Sequence, residues 1–515
     1  LRDGNQAVGV SFTVNHKLKI ARYLDEIGVS LIEGGWPNLT NAAEFEFFER
    51  AANEKFWGSI VAFGMTRRPR AKVEDDENLA ALLRAGTNIV TLFGKSWVFQ
   101  IEKVLGTTMK ENLRMISESI SFVKSHGRRV IFDAEHFFDG FKENAEYAFS
   151  TLEAAVDSGA EMLVLCDTRG ASYPKEVAEI TVQVVKRIKQ PIGIHAHNDR
   201  GLATANTLAA VSAGATQVQV TVNGIGERCG NADLIEVVGN LELQCIDTGI
   251  DIEKLTRLSH LVSELANLRE DRRKPFVGAY AFAHKGGIHA DAVTKASRAY
   301  EHVDPVLFGN KRRVTVSAQA GRASIVQVAK GLGFELSKTD PKVTEILLAV
   351  KRLEAEGYGL ESANGTLSLI FARELEKDWS GFELKSWKAK VSGGSGVSSA
   401  ECLIELNIDG TTMWESASGN GPVNAFDLAL REALRSKRPE IERMRLTGYR
   451  VKELDAEKGT AAKVAVYIDF ANGKNDWTTV GVSTNILEAS VKAIVDGYLY
   501  FLWSEKRMKS RIQNS

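Results

Sequence analysis

One pattern repeats through the first half of the chain and limits what it can fold into. A short β-branched run is followed by a polar or Gly-containing loop and then by an amphipathic stretch. The runs are "SLIEGG" (30–35), "SIVAFG" (59–64), "NIVTLFG" (88–94), "RVIFDAEHF" (129–137), "EMLVLCDT" (161–168), "IGIHAHN" (192–198) and "QVQVTVNGIGE" (217–227). Between them lie helical stretches such as "HKLKIARYLDEIG" and "NAEYAFSTLEAAVDSGA", several closing near Gly as helix C-termini do. Strand alternating with helix requires a parallel sheet with crossover helices. Seven runs are visible, and "LRD" at the start reads as the tail of an eighth strand. Eight βα units in roughly 250 residues is the size of a (β/α)8 TIM barrel, an α/β fold. A doubly wound open sheet is the alternative, but no GxGxxG follows a first strand. The sequence opens at Leu1 inside what reads as a strand end. The expectation is therefore an N-terminal strand cut short, with a few residues or a targeting segment before it.

The rhythm stops near residue 250. Residues 271–370 read as helical linker subdomains after a catalytic barrel over 1–270. Residues 371–515 carry three strand-like segments and a helix, "NAFDLALREALRS", and then the same order again. Two βββα units in tandem are an internal repeat and predict a pseudo-symmetric α+β regulatory domain. Nothing in it resembles a catalytic cluster. Over 515 residues the charges nearly cancel, 65 Lys+Arg against 66 Asp+Glu. That balance gives no electrostatic ground for nucleic acid or an anionic membrane as partner. No apolar run reaches the roughly 18 residues of a membrane span. The four cysteines, Cys166, Cys229, Cys245 and Cys402, are scattered without a CxxC. A reducing cytoplasm fits that spacing better than a disulfide framework.

Barrel chemistry sits at the C-terminal ends of the strands. Read in order, those ends hold Arg2 and Asp3, Glu33, Phe93, Asp133 and Glu135, Asp167 and Thr168, His195 and His197, then Asn223 and Glu227. Buried charge there is costly unless paired or bound to a metal. In "PIGIHAHNDRG" (191–201), His195 and His197 fall on one face of a strand, since alternate side chains point the same way. Asp3, on the first strand of a closed barrel, would face them. One carboxylate and two imidazoles suit a hard or borderline divalent ion: Mn, Mg, Zn, Co or Fe. Asn231, in the Gly-rich "GIGERCGNADL" (224–234), is a weaker fourth ligand or a helix cap. "HKGGIHADAV" (284–293) brings His284, His289 and Asp291 together outside the barrel. Cys166 and Cys229 have no obvious base beside them and read as structural.

Taken together, "LRDGNQ", "HAHND", "GIGERCGNADL", "GGIHADAV" and "GNGPVNAFDLALREAL", in that order, resemble the family of α-isopropylmalate, homocitrate and citramalate synthases over essentially the whole chain. "IEGGWP", "LFGKSW" and "FDAEHFFDG" are most similar to the citramalate branch. The resemblance implies a metal-dependent Claisen-type condensation of acetyl-CoA with a 2-oxo acid, pyruvate in that branch. It implies that Arg2 donates to the charge developing on the carbonyl, and that Thr168 and Asp133 contact the keto acid. Glu135, His289 and Tyr300 are the candidates for taking the acetyl methyl proton. It further implies a homodimer in which one subunit's linker covers its partner's barrel. The C-terminal domain would bind an end-product amino acid, isoleucine in this branch. A 2-isopropylmalate synthase is the nearest alternative, and a lyase or aldolase on the same metal barrel a more distant one. The βα rhythm excludes the jelly roll on which a two-His, one-carboxylate oxygenase site normally sits. An amino-acid sensor on a dead barrel is the non-enzyme alternative.

Overall fold

Seven parallel strands form one sheet in strict chain order, β1 (Leu31–Gly35), β2 (Ser59–Met65), β3 (Ile89–Lys95), β4 (Arg129–Glu135), β5 (Met162–Asp167), β6 (Ile192–Ala196) and β7 (Gln217–Gln219). Each pairs only with its neighbours in sequence, with a helix in every interval. This is the TIM-barrel-type arrangement the alternation predicts. The computed structural model describes residues 1–38, 40–284, 292–293, 295–314, 320–377, 379, 381–394, 397–473 and 475–513.

The expected eighth strand differs. Leu1–Asp3 forms a turn leading into a 3-10 helix over Gly4–Gln6, and its one ladder-like bond runs from Arg2 N–H to the Glu33 carbonyl (3.3 Å). A single bond of that kind does not make a strand.

Side-chain parity sorts each strand into two faces. Val130, Phe132 and Ala134 of β4, Val90 and Leu92 of β3, and Leu163 and Leu165 of β5 join one core beneath the helices. The opposite parity holds a small inner cluster of Val61, Ile89, Ile131, Val164 and Cys166. Next along that inner face come Glu33, Phe63, Phe93, Asp133, Thr168, His195 and Gln219. The inner cluster is apolar at its base and polar toward the strand C-termini.

Helix α1 (Val14–Glu26) starts where the Thr13 hydroxyl accepts from His16 N–H. Its Lys17 is buried and reaches both carboxylate oxygens of Glu44 on α2 (Ala42–Ala52), at 2.9 and 3.0 Å. Gly35 leaves the space this pair occupies, since a Cβ there would lie 1.7 Å from Glu44 Oε2. Glu44→Ala strands the buried ammonium. It is expected to destabilise this part of the chain by about 3–5 kcal/mol, read as a lower urea midpoint for the far-UV signal.

The chain divides into two units, Leu1–Phe282 with Val303–Arg312, and Ala283–His302 with Arg313–Ser515. In the second, short strands β8 (Ala283–His284) and β9 (Arg313–Val314) pair in parallel. Beyond them come two antiparallel three-stranded sheets. One is β10 (Glu383–Gly394), β11 (Val397–Ile408) and β12 (Thr411–Gly419); the other is β13 (Arg445–Glu453), β14 (Val464–Ala471) and β15 (Asp476–Ser483). Each is followed by a helix, Pro422–Arg435 and Ile486–Gln513, so the tandem βββα order read from sequence is present. Ile404, Phe426, Phe470, Trp477 and Phe501 from both halves share one core. Among the described residues no helix is long and apolar enough to cross a membrane. All four cysteines are free.

Candidate active site and metal centre

The inner parity of β6 brings His195 to the mouth of the sheet, and the residue just past the strand, His197, follows it. Their Nε2 atoms lie 3.1 Å apart. Asp3 Oδ2 is 3.4 Å from His195 Nε2. The ligand atoms of Asp3, His195 and His197 all fall within 4.8 Å of one another, and all three residues are buried.

Electrostatics keep Asp3 and His197 unprotonated. Burial, then the neighbouring His195, hold the His197 imidazole down at about 3. Burial opposes charge on Asp3, but Arg2 and the two histidines outweigh it and hold the carboxyl at about 2. A metal needs a neutral imidazole and an ionised carboxylate, and His197 and Asp3 supply them. Two ring nitrogens and a carboxylate oxygen converging within 4.8 Å of one another fit a divalent ion. His197 Nδ1 is buried and has no hydrogen-bond partner among the described residues. Asn231 donates from Nδ2 to Asp3 Oδ2 (2.9 Å). Its Oδ1 is turned to Gly226, where a Cβ would lie 1.8 Å away. It steadies the carboxylate and does not present an oxygen to the histidines.

Arg2 stands beside this cluster in a fixed pose. Its Nε donates to Glu33 Oε1 at 2.7 Å, and its Nη1 lies 3.5 Å from Asp3 Oδ1. The guanidinium carbon sits 3.7 Å over the Phe63 ring. Phe63 stacks on Phe93 with centroids 5.2 Å apart, and Trp36 meets both edge-on. Opposite this apolar wall, His195 Nδ1 contacts Gln219 Oε1 (2.8 Å), whose Nε2 donates to Asp133 Oδ1 (3.0 Å). Burial, then the Glu33 charge, push the Asp133 carboxyl well up.

Glu135, at the end of β4, is paired with Lys95 at the end of β3. The next residue, His136, has a left-handed backbone (φ +59°). Its N–H donates to Thr168 Oγ1 at 2.9 Å, which fixes that hydroxyl at the end of β5. Arg228 ties three mouth loops together, holding Asp199 through Nε (2.8 Å) and Nη2 (2.9 Å) and the Thr168 carbonyl through Nη2 (2.7 Å).

Other strand-end residues have structural work. Asp167 falls on the helix-facing parity and accepts from Ala171 N, Ser172 N and Asn206 Nδ2. Asn223 bonds Ser259 and Ser263, on the helix Leu255–Leu265. The Glu227 carboxylate meets Arg228, and its backbone carbonyl accepts from Gly230 N–H. His289 and Asp291 lie outside the described residues. Tyr300 is in the second unit, at the end of a short 3-10 turn over Ser297–Ala299 and about half exposed. His284, in the same unit, meets buried Glu301 at 3.0 Å. Sequence reading missed Trp36, Phe63 and Gln219 as site-lining residues. Phe63 and Gln219 share the inner parity with His195, and that parity was the signal available.

Residues 1–262 match the HMGL-like family, 276–357 the homocitrate synthase post-HMGL domain-like family, and 361–502 the LeuA allosteric (dimerisation) domain. Over 516 residues the chain is 44% identical to the (R)-citramalate synthase of Aquifex aeolicus (strain VF5), covering 98% of this chain and 97% of that one. Its identity to the (R)-citramalate synthase of Synechocystis sp. (strain ATCC 27184 / PCC 6803 / Kazusa) is 45%, covering 98% and 95%. A probable 2-isopropylmalate synthase of Methanopyrus kandleri is more distant, 34% identical over 96% of each chain.

Proposed function

The chain belongs to the (R)-citramalate synthases of the HMGL-like family, and from that premise we propose that it joins acetyl-CoA to pyruvate to give citramalate and free CoA. The observation that carries the reading is the buried convergence of Asp3, His195 and His197 beside the Arg2 guanidinium. In the reaction a methyl C–H of the acetyl group gives its proton to a base. The carbon left behind bonds to C2 of pyruvate, and the carbonyl oxygen takes up a proton. Water then cleaves the thioester and releases CoA.

Asp3, His195 and His197 hold a divalent ion (Mn, Mg, Zn or Co), with Asn231 steadying Asp3. Bound there, such an ion supplies Lewis acidity toward a 2-oxo acid carbonyl. Arg2 supplies donors to the oxygen as charge builds on it. The Thr168 hydroxyl, fixed by His136, binds the keto acid's carboxylate. Glu135, paired with Lys95, is the barrel residue proposed to take the methyl proton. His289 and Tyr300 are the linker candidates for the same proton. The apolar wall of Trp36, Phe63 and Phe93 suits an acceptor with a small apolar side chain.

In this reading residues 1–270 are catalytic, 271–370 link, and 371–515 regulate. The match of 361–502 to an allosteric dimerisation domain supports a homodimer with an amino-acid effector, and the citramalate branch points to isoleucine. The test is CoA-thiol release from acetyl-CoA with Mn2+ or Mg2+ and each of two acceptors. Pyruvate is expected to exceed 2-oxoisovalerate in kcat/KM by at least about 10–200-fold, the range that small apolar side-chain differences command. A preference for 2-oxoisovalerate makes the chain an isopropylmalate synthase, and no thiol release with any 2-oxo acid removes the synthase reading.

A further inference from the structure

Behind His195 runs a buried polar chain that the reaction above leaves unused. Gln219, on β7, touches His195 Nδ1 through its amide oxygen and gives its amide NH2 to Asp133 on β4. In the sheet β4 and β7 are separated by β5 and β6, so this bond spans the inner face and belongs to no strand ladder. Asp133 is 3% exposed. Among the described hydrogen bonds its carboxylate has Gln219 as its partner.

A neutral imidazole has one proton to place. An amide oxygen only accepts, so contact with Gln219 Oε1 puts that proton on His195 Nδ1 and leaves a lone pair on Nε2. Nε2 is the atom that faces Asp3 and His197. Among the described residues His197 has no equivalent support, because its buried Nδ1 meets no partner there. The orientation of the pair therefore rests on His195. We infer that Gln219, held in place by Asp133, is the positioning residue that sets the tautomer and ring plane of His195 for metal binding. Asp133 then acts on the histidine through Gln219.

This rests on the metal reading above, and the test separates the two. Mn2+ is titrated into the full-length protein and free Mn2+ is read by electron paramagnetic resonance, with folding checked by circular dichroism. Gln219→Leu and Gln219→Ala, two truncations guarding against a folding failure of either, are expected to weaken Mn2+ binding about 10–100-fold. Gln219→Glu combined with Asp133→Asn reverses the donor and acceptor between the two residues and keeps an acceptor toward His195 Nδ1, so this pair is expected to bind Mn2+ about as tightly as the native chain. Asp133→Ala is expected to weaken binding in the native background and to add nothing to Gln219→Leu, because residues acting in series are not additive. Native affinity in both truncations, a Gln219→Glu/Asp133→Asn variant as weak as Gln219→Leu, or additive loss of Asp133→Ala on Gln219→Leu overturns the positioning role. A native chain that binds no Mn2+ overturns the metal reading and this inference together.

Discussion

Replacing His197 by Ala is expected to abolish Mn2+ binding at micromolar protein and to lower citramalate formation by about 10³-fold or more. The size follows from what the ion supplies: several kcal/mol of charge stabilisation at the carbonyl, each 1.36 kcal/mol being tenfold in rate. His197 is one of three ligands, and the two that remain, one imidazole and one carboxylate, are too few to hold an ion against water at micromolar concentration. Nothing else among the described residues replaces it, because Asn231 directs its NH2, not its oxygen, to the cluster. The pH behaviour separates this residue from an ordinary histidine. Its pKa is lowered to about 3, so the ring is neutral above that value and takes a proton only as the pH falls to it. Mn2+ binding thus loses nothing to His197 between pH 8 and 5, whereas a solvated histidine would compete near its usual 6.5. Mn2+ titration and thiol release with the variant measure the first effect, and Mn2+ titration of the native chain between pH 8 and 5 measures the second. Native affinity in His197→Ala, or a rate within tenfold of native, places the metal elsewhere.

The histidine pair was legible because period-2 geometry needs only two residues and an apolar run. The parallel sheet was legible for a similar reason, since strand and helix runs alternate without interruption. Strand-end position alone was a poorer guide. Asp167 and Thr168 are adjacent in sequence, yet parity sends Asp167 to the helix layer as a loop cap and Thr168 to the inner face. Asn223 misled in the same way, its amide being used by a distant helix that no local pattern announces. Gln219 and Phe63 went unnoticed because neutral residues inside a strand carry no sign of which neighbour they meet. Gln219 gains its meaning from Asp133, eighty-six positions earlier and across the sheet. Those contacts are set by the curvature of the sheet, which the periodicity of single strands does not encode.

Arg2→Lys tests the other half of the site and is expected to lower kcat by about 10²–10³-fold, the usual loss when one donor to a developing oxyanion is removed. Mn2+ affinity should stay within about threefold of native. Arg2 is held on three sides: Nε by Glu33 at 2.7 Å, the guanidinium face by Phe63 at 3.7 Å, and Nη1 by Gln6 at 3.1 Å. These restraints fix a planar fork whose Nη1 also lies 3.5 Å from Asp3. An ammonium is a point charge without a plane to stack or a second edge to present, so lysine cannot hold Glu33 and serve the substrate oxygen together. The loss should therefore fall on kcat, where charge on the oxygen is largest. A rise in KM for pyruvate at constant kcat would instead assign Arg2 to ground-state binding of the carboxylate. A comparable loss of Mn2+ affinity would make Arg2 a support for Asp3, whose carboxylate it holds ionised. Either result removes Arg2 from the oxyanion role.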